Sequence, residues 1–327
     1  MSTHVPRLLA GLVDDAAVFP PGSATLPDAL AAHRRHRDSW YAALVGPLLV
    51  PASAVASGEL ASLVGAPGDS AGGPGGPAGP AAPGSESPGN GLVVGLIGDT
   101  GVEGLPAALA ALPAGVTARQ VEVAVAKRGE DPLPGLTALL RPVGRSVDVD
   151  VYAELPLTFG LMGALDAVAA ARADGVPVAA KFRTGGLAAE LFPTPVELAA
   201  VICACRDREL PFKLTAGLHH AVRHRDPETG FTHHGFGNVL AATLAAADGA
   251  EVDEVAAVLA TTDPVPLVER ARAARAADRP LWVGYGSCSI TEPLTDLIRL
   301  GLVNGGHDVK AGHDVKAGHD ADGGHDA

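Results

Sequence analysis

Four short segments of this 327-residue chain carry charged side chains at the spacing expected for the inward-facing positions of β-strands. AAKFRTGG (179–186) sets Lys181 and Arg183 two residues apart after an apolar run, and PFKLTAG (211–217) does the same with Lys213 and Thr215. RQVEVAVAK (119–127) puts Glu122 with Ala124 and Ala126 on the face opposite its valines. VDVDVYAEL (147–155) puts Asp148, Asp150, Tyr152 and Glu154 on one face against Val149, Val151 and Ala153. Side chains alternate across a strand, so these four strands aim opposite charges into one interior. An unpaired charge there is costly.

One outcome is an ion-pair network that fills the space. The other is chemical. Two ammonium groups on adjacent strands each disfavour the other's charge, and burial adds to this, so one of the lysines is expected to be a neutral amine. A neutral amine attacks carbonyls to give a Schiff base, whose iminium is an electron sink for making or breaking a carbon–carbon bond. Glu122 or Glu154 would move the protons.

The elements that must hold these groups follow from pattern. Short runs suited to strands lie at 12–19, 43–51, 91–99, 119–127, 147–155, 177–183, 211–217 and 281–287. Between them lie stretches with helical apolar spacing, including LPDALAAHRRHR, FGLMGALDAVAAARADG, PTPVELAAVICACRDREL and PLVERARAARAADR, several opened by Pro or Thr. Eight strand–helix units over residues 1–304 predict a single-domain α/β fold, a (β/α)8 TIM barrel, with a doubly wound open sheet as the competitor. Between the seventh and eighth strands there is room for three helices in succession. Residues 66–90 are almost entirely Pro, Gly, Ala and Ser, and 305–327 repeat GHDVKA. Both are expected to be disordered, with too little apolar surface to offset the entropy of ordering.

In their order along the chain the charged motifs resemble the deoxyribose-phosphate aldolase branch of the class I aldolases, over about residues 115–303. KFRTG is similar to that family's Lys-x-x-Thr-Gly strand end, which implies Lys181 as the Schiff-base residue. FKLTAG resembles its strand with a second lysine, implying Lys213 as the partner that lowers the first lysine's pKa. QVEVAV offers Glu122 where the family has an aspartate, and VYAELPL offers Glu154 at the end of the fifth strand. GYGSCSITEPL resembles its Gly-x-Ser-Ser helix start. The resemblance implies a substrate site lined by Thr184, Gly185, Thr215, Gly217, Ser287 and Ser289; beside it, Arg183 is read as supplying charge and His219 and His220 as binding substrate polar groups, with no cofactor and no metal expected. Two departures stand out. Glutamate for aspartate moves the carboxylate by about 1.5 Å, and Gly217-Leu218-His219-His220 replaces the turn where the family has a further glycine for phosphate. Ser287, Ser289 and the helix start that follows them are still suited to binding an anion. A carboxylated or plain hydroxy-carbonyl substrate fits this loop as well as a phosphorylated one.

A different chemistry is open to the loop GLHHAVRHRDPETGFTHHGFGN, which holds His219, His220, His224, His233 and His234. Two or three of these with Asp99 or Glu154 would make a zinc site, hence a metal-dependent barrel hydrolase or lyase. A third alternative is a barrel that only binds or scaffolds. Asp14 and Asp15 sit near the first strand's end, where one is placed to help position substrate, although capping or loop hydrogen bonding is the more frequent fate of such aspartates; Lys127 and Arg128 are expected to be solvated, and Cys288 to be a small buried residue. The formal charge of −13 argues against nucleic-acid and anionic-membrane partners. Three cysteines without CxxC spacing suit a reducing cytoplasm, and no apolar run is long enough to span a bilayer. The expected partner is a small carbonyl compound, and self-assembly into a homo-oligomer stays open.

Overall fold

Segments such as VGPLLVP and VAAKFR are buried on both faces, as parallel strands are when helices cover one side and a closed interior the other. The structure, a computed structural model, describes residues 5–64, 91–143 and 149–305. The expected insertion at 66–90, Asp148, and all of the His-Asp tail except Gly305 lie outside the described residues.

Eight parallel strands close into a barrel: β1 (Val13–Asp15), β2 (Val45–Pro51), β3 (Leu92–Ile97), β4 (Val116–Ala124), β5 (Asp150–Glu154), β6 (Val178–Arg183), β7 (Phe212–Thr215) and β10 (Trp282–Ser287). Each pairs with its neighbour in sequence, and β10 closes the ring between β7 and β1. Between β7 and β10 lies a small antiparallel hairpin, β8 (His224–Arg225) and β9 (Thr232–His233). It forms inside the histidine-rich stretch read above as loop. β1 is also shorter than its sequence pattern, because the chain turns after Asp15, with Phe19 N–H donating to the Ala16 carbonyl.

The helices are α1 (Leu26–Arg37), α2 (Ala52–Ala56), α3 (Glu59–Val64), α4 (Leu105–Ala110), α5 (Pro132–Val143), α6 (Leu161–Ala173), α7 (Pro195–Arg206), α8 (Phe236–Ala247), α9 (Val252–Ala260), α10 (Pro264–Ala273) and α11 (Thr291–Arg299). Local chemistry sets several of their starts. Thr25 accepts from the Asp28 N–H at 3.3 Å to open α1. Thr194 and Glu197 form a reciprocal capping box at α7, as Glu251 and Glu254 do at α9. The three helices expected between the last two barrel strands are α8, α9 and α10. Residues Phe236 and Asn238–Ala246 of α8 are buried, which explains its Ala-rich, nearly uniform apolarity.

Outward-facing strand residues pack beneath the helices. Phe182 lies 6.4 Å from Phe212, and Tyr285 stacks between Trp282 (5.7 Å) and Phe236 (5.8 Å). Phe182 thus takes the face opposite Lys181, as alternation requires. No helix among the described residues is long and apolar enough to cross a membrane.

Candidate active site

Register places the charges. Lys181 on β6 is level with Lys213 on β7 and with Glu154 on β5, and Glu122 on β4 is level with Tyr152 on β5. The interior at this height is a single network. Glu122, 1% exposed, takes the Lys181 ammonium on Oε2 at 2.8 Å and the Lys213 ammonium on Oε1 at 2.6 Å. Lys181 also donates to Glu154 Oε2 at 2.9 Å, and Glu154 Oε1 accepts from Arg183 Nε at 3.2 Å. Lys213 is bonded as well to Asp14 and lies 4.8 Å from the centre of the Tyr152 ring. The Gln120 amide nitrogen donates to Asp14 at 2.7 Å and to Glu122 at 2.8 Å. All four residues expected to be catalytic are therefore brought together, and Asp14, for which a cap or loop bond is the commoner expectation, completes the set with Gln120, which the sequence reading does not single out.

Asp14 corrects its expected role. It is buried and paired to Lys213 instead of capping a helix. Asp15 does keep a loop bond, from the Ala17 N–H, and holds His33 at 3.0 Å. Asp150 is exposed and so does not join the inner charges.

The electrostatics overturn the neutral-lysine expectation. Burial works to depress the Lys181 ammonium, but Glu122 and Glu154 outweigh it, and its pKa rises above 10.5. Lys213 behaves alike: burial is outweighed by Asp14 and Glu122. The carboxylates facing the lysines together act on them more strongly than burial does. Burial would lift Glu122, yet the two lysines hold it down at about 2. Glu154 is lowered by Lys181 and Arg183 against its own burial, whereas burial prevails over Lys213 at Asp14, which is raised. The resting site is an ion network with both ammoniums charged.

Comparison of the chain with family models, with curated proteins and with solved structures returns no match.

The mouth of the barrel has two sides. Over β4, β5 and β6 lies a cleft of about 140 Å³ lined by Ala126, Leu155, Pro156, Leu157, Leu191 and Pro193, with Glu154 and Arg183 also on its wall. Ala124, one inward position above Glu122, is exposed, so small side chains leave this approach open. On the opposite side His219 Nδ1 lies 3.2 Å from Glu292 and His220 Nδ1 3.2 Å from Asp296. Ser287 Oγ donates to the Ser289 carbonyl at 2.7 Å, and Ser289 Oγ accepts from the Glu292 N–H at 3.2 Å. These hydroxyls already have partners within the turn.

Thr184 is likewise occupied, its hydroxyl donating to the Ala216 carbonyl at 2.6 Å. Thr215 faces the mouth half-buried at the end of β7. At Gly185 and Gly217 the backbones touch: a Cβ on Gly185 would meet Gly217 Cα at 2.9 Å, and Gly217 itself has φ +78°. Here glycine is required by both contact and conformation.

His220, His224 and His233 pack ring against ring, with centroids 4.8 and 5.3 Å apart, but they do not turn their nitrogens on a common point. His224 faces the Val222 carbonyl, His233 the Gly217 carbonyl and His234 the Pro193 carbonyl. Asp99 is taken by Ser53, and Glu154 by Lys181 and Arg183. Among the described residues no three His, Cys, Asp or Glu side chains gather where a cation would sit. The three cysteines are free thiols; burial pushes Cys288 up, so the thiol form prevails there.

His234 gives the fold an acid limit. It is fully buried, donates from Nε2 to the Pro193 carbonyl at 2.8 Å, and is pushed down by burial to about 4 from an ordinary 6.5. With the folded value below the unfolded one, the unfolded chain binds the extra proton, so this residue's stabilisation is complete above 6.5 and is lost as pH falls toward 4. His36 and His224, both lowered chiefly by burial, act in the same sense, and the raised Asp14 acts against them above 3.8. Urea midpoints measured from pH 7 to 4.5 are expected to fall, and His234→Asn to flatten the slope. Unchanged slopes would mean that His234 keeps an ordinary pKa.

Proposed function

We propose that this chain is a class I aldolase-type lyase that joins Lys181 to a small hydroxy-carbonyl substrate through a Schiff base. One observation carries this: Lys181 Nζ, on a side chain 5% exposed, is gripped between Glu122 and Glu154, and only Glu154 also faces the cleft. A lysine buried toward the carboxyl end of a barrel strand, in contact with a proton acceptor that itself lines the cleft, suits imine chemistry.

Because Lys181 rests as an ammonium, its nucleophilic form arises by proton transfer along the 2.9 Å contact to Glu154. Lys213 has a defined part in this. By drawing on the other oxygen of Glu122, it weakens that carboxylate's hold on Lys181. The freed amine attacks the carbonyl carbon while the carbonyl oxygen takes the proton back from Glu154, giving a carbinolamine. The carbinolamine nitrogen then gives its extra proton to Glu154, which passes it to the hydroxyl, so that water leaves and the iminium forms. In the cleavage direction Glu154 removes the proton of the β-hydroxyl, the carbon–carbon bonding pair flows into the iminium, and an aldehyde departs. The resulting enamine is protonated on carbon, and water releases the second product and Lys181.

A second reading has its own support. The network pairs three carboxylates with Lys181, Lys213 and Arg183, and raised lysine pKa values are what a purely structural ion cluster would give. Trapping separates the two. With a short aldehyde and sodium borohydride, hydride reduction of the iminium is expected to leave a stable secondary amine on Lys181, found by peptide mass. An unlabelled Lys181 after exposure to a panel of aldehydes would leave the network as packing, and the barrel as a binding or scaffold protein.

A further inference from the structure

We infer that the substrate is uncharged and bears a short apolar arm, which lies in the cleft over β4, β5 and β6 while its carbonyl reaches Lys181. This rests on the Schiff-base reading and adds to it the class of compound.

Two sides of the mouth were available for a substrate's distal part, and each has a distinct chemistry. The side formed by the loops after β7 and β10 already contains carboxylates. Glu292 lies in the first turn of α11, where free N–H groups would otherwise favour a bound anion. It is held there by His219, and the adjacent Asp296 takes both His220 and the Ala221 N–H, the latter at 2.9 Å. The Ser287 and Ser289 hydroxyls are spent inside the turn. An incoming phosphate or carboxylate would meet a resident anion and engaged donors.

The cleft side has room and is apolar over much of its wall, with Leu155, Pro156, Leu157, Leu191 and Pro193. Its cations are balanced. Arg183 lies on Glu154, and Glu197, held down chiefly by its capping bonds with Thr194 and to a lesser degree by the Arg128 charge, sits in the same lining as Arg128. Glu190 adds a third acid against the two arginines in the lining. Neither side therefore presents a net positive surface, and the chain as a whole carries −13. Apolar walls favour methylene groups by excluding water from them. Glu154 belongs to the cleft wall and also touches Lys181, so an arm seated there is contiguous with the reacting centre.

The test uses borohydride trapping on Lys181 with ethanal, butanal, hexanal, glycolaldehyde and glycolaldehyde phosphate, at equal concentration in the intact protein. Labelling efficiency is expected to rise from ethanal to butanal by roughly fourfold for each methylene buried, and to level off once the cleft is full. Glycolaldehyde phosphate is expected to label more slowly than glycolaldehyde. Leu157→Asp is expected to flatten the chain-length dependence, read as the ratio of hexanal to ethanal labelling within that variant. Equal or faster labelling by the phosphate, or no dependence on chain length in the unaltered protein, overturns this inference and leaves the Schiff-base reading standing. No labelling by any of the five overturns both. The wild-type series decides the matter even where Leu157→Asp fails to fold.

Discussion

Replacing Lys181 with Met is expected to erase the borohydride adduct and to reduce aldol turnover by about 10⁴-fold or more, the order seen when a nucleophile is removed from an enzyme. The fold is expected to survive. Each carboxylate that Lys181 contacts keeps another cation, Glu122 through Lys213 and Glu154 through Arg183. No buried charge is stranded, so the stability change is expected to be about 1–2 kcal/mol, less than the roughly 3–5 kcal/mol that follows when one member of a buried pair is left alone. Thermal melting alongside the trapping assay checks both halves. A variant that melts normally yet still labels at the same rate would move the nucleophile elsewhere, with Lys213 the next residue to map.

Glu122→Gln is expected to do the reverse, damaging the fold more than the loss of Lys181 does. The carboxylate lies between two ammonium groups, one on each oxygen, and accepts a third bond from Gln120. An amide has a single acceptor oxygen, and its nitrogen would point hydrogens at a cation that is also a donor. Two buried ammoniums would then share Asp14 and Glu154 without the anion between them. The loss is expected to be about 3–5 kcal/mol, which for a domain of this size lowers the melting temperature by roughly 6–20 °C. Differential scanning calorimetry at neutral pH measures it. A shift under about 2 °C would mean that water already screens the pair.

Much of this centre could be read from strand alternation, because alternation is a local property. Glu122, Glu154, Lys181 and Lys213 each declared their face through the apolar residues on either side of them. Gln120 obeyed the same period, two residues before Glu122, and was passed over because it carries no charge. Asp14 was harder to find. β1 has only three residues, and its two adjacent aspartates give alternation nothing to choose between. Its partner Lys213 is 199 positions away and comes near only when β10 seats between β7 and β1. That acid bears on Lys213 alone; Lys181 stays charged because Glu122 and Glu154, legible in the sequence as proton carriers, also hold its ammonium. The β8–β9 hairpin was hidden for another reason: its two-residue strands around DPETG are too short for any periodicity.

The seam at Gly185 and Gly217 has a wider consequence. These residues follow the two strands that carry Lys181 and Lys213, and their main chains meet where a single methyl group on either would have to wedge in. How far apart the two amines stand is thus governed partly by residues with no side chain at all. A search for the parts that tune this centre would start from the chain's bare backbone as much as from its charged groups.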